Sequence, residues 1–246
     1  MSSTSPAAEE RRENEDAFSA QLREAESHGV KSILANDASS MAIFRILDSA
    51  SGLAEMAYEN ARASNTRPVA CKAGCSWCCY QTVGVTAPEA IRIARHLRAM
   101  KDAGAREAML EKLRSVNEAA RGTTAEARDK LQMPCAFLID GRCGIYPVRP
   151  LACVEYTSFD VEDCVKDYHS GYATTTARCD RARSLVYKAV RTGMEDGLSG
   201  ALPESDTAPL ELSAAVADAL SSPDPAAEWM AGKPVFERAH LIKELG

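Results

Sequence analysis

The sequence predicts a mainly α protein, a small helical domain with an irregular, cysteine-rich loop. Three observations lead there. Apolar residues recur at helical spacing in several separate stretches, whereas the alternation of half-buried strands is scarce. Between residues 133 and 172 the helical period fails, and prolines, glycines and aromatics replace it. All nine cysteines lie between Cys71 and Cys179. Three units follow: an N-terminal helical extension over 1–65, a cysteine-cluster domain over 66–198, and a C-terminal linker with short helices over 199–246.

The first 30 or so residues are charged and rich in small residues, notably from Glu9 to Asp16 and from Arg23 to Glu26. They read as a helix with few apolar anchors that frays. Between Ala38 and Ala63, the residues Ile43, Leu47, Ala50, Ala54, Ala57 and Ala61 mark a small-residue face suited to close helix packing. Arg67-Pro68 ends that segment. Thr86-Ala87-Pro88-Glu89 reads as a capping box, with the Thr hydroxyl capping the helix and Glu89 reaching back. The helix it opens carries Ala90, Ala94, Leu97 and Met100 on one stripe. Gly104 divides it from a second helix bearing Met109, Leu113, Val116 and Ala120, and Gly122 from a short third ending near Leu131. The first two are expected to form an antiparallel hairpin.

The stretch from Met133 to Tyr172 holds prolines at 134, 147 and 150, and the aromatics Phe137, Tyr146, Tyr156, Phe159, Tyr168 and Tyr172. A loop of this length without its own structure is uncommon unless something ties it down. Cys135, Cys143, Cys153 and Cys164 lie inside it. Helical periodicity returns near Thr175 with Ala182, Leu185, Ala189 and Val190. Gly197 to Pro209 reads as a polar linker, and Leu212, Val216 and Leu220 as another short helix.

Bulk properties narrow the function. The first residues contain no apolar signal region, and no run of about 18 apolar residues could span a membrane. A cytoplasmic location is expected, where thiols stay reduced and clustered cysteines serve as metal ligands or redox groups. An odd count of nine also fits poorly with a fully paired disulfide framework. The net charge of -6 gives no basic footprint, so nucleic acid is not an expected partner. Neither a protein partner nor an oligomeric state is specified.

Four thiols are packed into Cys71-Lys72-Ala73-Gly74-Cys75-Ser76-Trp77-Cys78-Cys79. If that run is partly helical, Cys71, Cys75 and Cys78 share one face and Cys79 sits at its edge. Adjacent cysteines cannot easily bind one tetrahedral ion together. Cys78-Cys79 therefore suggests two metals, or one ligand beside a supporting thiol. Metal would also supply the order that the 133–172 loop lacks.

The ordered motifs resemble the cysteine-cluster (CxxxCxxCC) family of zinc- or iron-chelating domains. That family runs C-x3-C-x2-C-C, P-C-x-F-L, G-x-C-x-I-Y, R-P and a further cysteine. This chain has Cys71, Cys75, Cys78 and Cys79, then Pro134-Cys135-Ala136-Phe137-Leu138, Gly141-Arg142-Cys143-Gly144-Ile145-Tyr146, Arg149-Pro150, Cys153 and Cys164. The likeness covers roughly residues 68 to 170 and extends to the cluster region of flagellin lysine methylase, which the family associates with an iron–sulfur centre. It implies eight metal ligands: Cys71, Cys75, Cys78, Cys79, Cys135, Cys143, Cys153 and Cys164. Eight thiolates match two four-ligand sites, occupied by zinc, by an iron–sulfur cluster, or by one of each; [4Fe-4S] is favoured for one. Lys72, Arg142 and Arg149 lie beside the ligands in sequence and could offset thiolate charge. Trp77, Tyr80 and Tyr146 are expected to shield the site from water.

Cys179 lies outside this pattern and reads as a packed thiol on a helix. The histidines are scattered, and only His169 is close enough in sequence to be considered. Three functional readings stand: a metal-binding cysteine-cluster protein, a SAM- or cluster-dependent protein-modifying enzyme, and an iron or zinc carrier. Cys71-x3-Cys75-x2-Cys78 also fits the radical-SAM motif, but the chain offers no repeating strand–helix units and no Gly-rich SAM loop. No catalytic residue stands out.

Overall fold

The computed structural model describes residues 6–62, 67–120, 122–172, 179–237 and 239–240. The protein is mainly α. Among the described residues there are ten α-helices and two small antiparallel sheets of two strands each. The expected helix start at Thr175 and the end of the small-residue segment at Ala63 lie outside the described residues.

Three long helices form one layer: α1 (Pro6–Asn36), α2 (Ala42–Ala61) and α8 (Arg181–Ala201). α2 buries Ile43, Leu47, Ala50, Ala54 and Ala57, the face anticipated from spacing. α1 does not behave as an unanchored extension. It runs along α8, burying Leu22, Glu26 and Val30 at four-residue intervals. Gly193 and Gly197 of α8 make this seam close. A Cβ on Gly193 would stand 2.4 Å from the Arg23 carbonyl oxygen, and one on Gly197 would stand 2.6 Å from Val30 Cβ. Backbone proximity thus replaces the large apolar anchors that the sequence of α1 lacks. Arg23–Asp196 and Arg181–Glu15 ion pairs flank the seam.

A second layer comprises α3 (Ala87–Arg98), α4 (Ala103–Ala120), α9 (Leu212–Ser221) and α10 (Pro225–Met230). Both α3 and α4 take α9 as their main helix partner, so the expected α3–α4 hairpin is not the principal packing. The apolar stripes were correctly placed, but their common partner comes from more than 90 residues downstream, beyond the reach of local spacing. Strand β1 (Gly84–Val85) pairs antiparallel with β4 (Leu210–Glu211), joining the start of α3 to the start of α9. α8 continues through Gly197 to Ala201, so the linker is shorter than the polar composition implied.

The 133–172 stretch contains short elements. A hairpin pairs β2 (Leu138–Ile139) with β3 (Arg142–Cys143), and two helices follow, α6 (Leu151–Glu155) and α7 (Val161–His169). α5 (Ala125–Leu131) precedes the stretch. The box at Thr86 forms, and it does more than cap. Glu89 accepts from the Thr86 amide at 2.8 Å and hydroxyl at 2.9 Å with one oxygen. Its other oxygen accepts from the Leu151 amide at 2.8 Å, opening α6. One buried carboxylate therefore fixes the helix carrying Cys153 to the helical core.

Candidate metal centre

The Cys71–Cys79 run is not a helix. Lys72 to Cys75 form a turn closed by the Cys75 amide on the Lys72 carbonyl at 2.9 Å, with Gly74 at φ +89°. That left-handed conformation suits glycine and breaks helical continuation. Only Trp77–Tyr80 winds into a 3-10 turn. The shared helical face expected for Cys71, Cys75 and Cys78 is therefore absent, and the thiols are gathered by tertiary contacts.

Two sets of backbone contacts do the gathering. In the first, the Cys135 amide bonds to the Cys79 carbonyl at 2.7 Å, which lays the 133–148 segment against the 3-10 turn. The hairpin sets Cys143 opposite Leu138, and Phe137 and Ile145 bury beneath it. Cys153 follows on α6, held by Glu89. In the second, Ser158 is the hub. Its carbonyl accepts from the Ala70 amide at 2.8 Å, its amide donates to Cys71 Sγ at 3.3 Å, and it bridges antiparallel to Cys179. Cys164, on α7, donates to the Asp160 carbonyl at 3.6 Å, two residues beyond that hub.

The thiols influence one another within these sets. Cys143 acts electrostatically on Cys135, and Cys135, Cys78 and Cys143 act on Cys153. Cys71 and Cys78 act on Cys75; Cys71, Cys75 and Cys78 on Cys164; Cys164 and Cys71 on Cys179. Cys78 borders both sets, and its interaction with the neighbouring Cys79 thiol, then burial, pushes the Cys78 thiol up. Burial first, then neighbouring thiols, raises Cys153 well above the usual range and pushes Cys135 up to about 11. Burial also raises Cys75, Cys143, Cys164 and Cys179.

All nine cysteines are free thiols. Among the described residues, no three His, Cys, Asp or Glu side chains already stand together as an ion site. Backbone contacts bring the cysteine-bearing segments together without preforming an ion site among the described residues.

Cationic groups face them. Arg149 stacks on Tyr146 at 4.0 Å and lies close to Cys78 and Cys143, while its buried Nε lacks a hydrogen-bond partner. Lys72 faces Cys75. Arg142, the third cation expected from sequence, is exposed. A fourth, Arg128, was not legible: it is buried on α5, 3.5 Å from Glu211, and reaches Cys135. Only its helical placement beside α9 brings it there.

Trp77 and Tyr80 pack against Tyr168 of α7 at 5.3 and 4.9 Å between ring centroids, and Tyr172 donates to the Trp77 carbonyl. Tyr146 is 63% exposed, so it covers Arg149 from the outside. His169 is exposed and sits against Trp77 and Tyr168. Cys179 is not on a helix face. It directly precedes Asp180, which caps α8 through the Arg183 amide and accepts from the Tyr58 hydroxyl at 2.6 Å.

Residues 70–180 match the family model CxxCxxCC, whose description reads "Putative zinc- or iron-chelating domain". The segment is similar to that family. The CxxCxxCC match takes in somewhat under half of the chain and all nine cysteines, Cys179 included. No curated protein and no solved structure matches the chain. No described helix is long and apolar enough to cross a membrane.

The residues suit a zinc or iron–sulfur centre. Soft thiolate donors are what such centres take, and the partnerless Nε of Arg149 offers a donor to ligating sulfur.

Proposed function

We propose that the CxxCxxCC domain of this chain binds metal in two thiolate centres, with an oxygen-sensitive [4Fe-4S] cluster in one and zinc or a second cluster in the other. Cys71, Cys75, Cys78, Cys135, Cys143, Cys153 and Cys164 supply ligands in this reading, and the eighth comes from Cys79 or Cys179. When bound, an iron–sulfur cluster supplies one-electron chemistry, whereas zinc supplies a fixed cross-link.

The observation that carries the reading is Arg149. Arg149 is half-buried, and its Nε is buried without a hydrogen-bond partner, which is unfavourable unless an acceptor or negative charge lies nearby. A four-thiolate centre retains net negative charge after the ion is counted, and Arg149 lies beside two of its sulfurs. Four thiolates per centre are what a [4Fe-4S] cluster takes, which supports iron–sulfur for one centre beside zinc or a second cluster in the other. Clustered cysteines at metal-ligand spacing suit a reducing compartment, and we place the protein in the cytoplasm.

Protein purified without oxygen should be brown, with broad absorption near roughly 400 nm and iron and sulfide in stoichiometric amounts. Colourless protein carrying stoichiometric zinc would rule out the cluster and leave a zinc-only site.

A further inference from the structure

We propose that Cys179, and not Cys79, is the eighth ligand, and that the thiols divide into one centre of Cys71, Cys75, Cys164 and Cys179 and another of Cys78, Cys135, Cys143 and Cys153. This rests on the metal-binding reading above and assigns its ligands.

The backbone around Ser158 carries the first centre. Ser158 donates its amide to Cys71 Sγ, and its carbonyl holds Ala70. It also bridges Cys179, while the Thr157 carbonyl accepts from the Asp180 amide at 3.1 Å. Cys71 and Cys179 thus flank one short strand-like segment from two sides. Cys164 bonds to Asp160 at the end of the same segment, and the Ser158 hydroxyl donates to that same Asp160 carbonyl at 3.0 Å. Cys75 joins the set through the turn from Lys72 to Cys75 that directly follows Cys71. Cys179 is further pinned by its neighbour. Asp180 is held by Tyr58 and by the α8 amide, so the thiol before it has little freedom to leave.

The second centre forms where the 3-10 turn meets the hairpin. The Cys79 carbonyl receives Cys135, which places that backbone edge against the hairpin segment. Cys78 acts electrostatically on both Cys143 and Cys153, and Arg149 acts on Cys78 and Cys143 together. Two adjacent residues in a 3-10 turn cannot both point at one ion without backbone strain, so one of the pair is surplus to this centre, and the electrostatic influence of Cys78 on Cys143 and Cys153 assigns Cys78 to it. Cys79 then stays a thiol beside the Cys78 sulfur, outside the ligand set. Closely spaced cysteines that serve different centres have precedent, since the last cysteine of the bacterial two-cluster ferredoxin run ligates the other cluster.

The test is metal content and absorption of the full chain, purified without oxygen, as wild type, Cys79→Ser, Cys179→Ser and Cys143→Ser. Cys79→Ser should retain the wild-type complement. Cys179→Ser and Cys143→Ser should each lose about half of it, and the lost halves should differ in spectrum or in metal, because a hydroxyl is a poor substitute for thiolate. Far-UV circular dichroism on each variant separates lost metal from lost fold. A second arm needs no variant. In metal-loaded wild type, alkylation followed by peptide mapping should label Cys79 faster than Cys179, and removing metal under reducing conditions should erase that order. Loss of metal from Cys79→Ser with full retention in Cys179→Ser, or faster labelling of Cys179 in the loaded protein, overturns the assignment while leaving metal binding intact. Wild type that holds no metal overturns both.

Discussion

Replacing Gly193 with Ala sets two effects of opposite sign against each other. In a helix interior Ala is favoured over Gly by about 1 kcal/mol. At Gly193 the new Cβ would lie 2.4 Å from the Arg23 carbonyl oxygen, 2.9 Å from Glu26 Cβ and 3.0 Å from Arg23 Cα. Two of these three atoms are backbone and cannot rotate aside. Relief therefore requires α1 to retreat by on the order of 1 Å, which loosens Leu22 and Val30 against α8. Overpacking of this kind costs about 1–3 kcal/mol, and the upper end applies where backbone is struck. Setting about 3 against 1 leaves a net loss of about 2 kcal/mol, or a Tm lower by roughly 4–8 °C for a chain of this size. Gly52→Ala in α2 is the control: nothing lies within 4 Å of its Cβ, and the position is exposed. There propensity acts alone and should stabilise by up to about 1 kcal/mol. Thermal and urea unfolding of both variants decide the matter. Equal stabilisation by the two would refute the close α1–α8 seam.

The carboxyl of Glu26 is pushed up to about 7 by burial, from 4.5. The native state then keeps a proton that the unfolded chain has released, so stability declines as pH rises from about 4.5 to about 7 and levels off above. The decline is at most about 3 kcal/mol, and Glu26→Gln should abolish it. Urea midpoints measured at about pH 5 and about pH 8 check this, and a decline that survives in the variant would exclude Glu26 as its source. Removing metal under reducing conditions should open 133–148 to protease, because that stretch rests on two-residue strands and one 3-10 turn, while α2, α3 and α8 persist. Equal cleavage of apo and loaded protein would show that metal is not what orders it.

Legibility followed the range of the interactions. The faces of α2, α3 and α4 could be read because amphipathic spacing reports burial without naming the partner. The Thr86–Glu89 cap could be read because both ends lie within one turn; the bond from Leu151 to the same carboxylate, 62 residues on, could not. Asp140-Gly141 was a readable hairpin signal, and both residues adopt positive φ, yet flanking strands of two residues give no alternation to notice. α6 and α7 are too short to establish a period. Gly193 and Gly197 look like helix interruptions in sequence, and only the approach of α1 gives them a purpose. The cysteine list was plain from the start. Its grouping was not, because Gly74 turns the first run out of helical register and Ser158 ties Cys71 to Cys179 across more than 100 residues.

The pairing of β1 with β4, and the packing of α3 on α9 and α6 on α8, bears on how this domain could be transplanted. A cut at residues 70 and 180 would remove α2, α8, α9 and β4 together. Every cysteine would remain, but β1 would lose its pairing strand and α3 its main packing surface. Such a fragment should behave as a loose chelator whose loops collapse differently around each ion offered to it. In this chain the cysteine-bearing stretch is a strap buckled onto a helical block, and much of that block is encoded before the strap begins and after it ends.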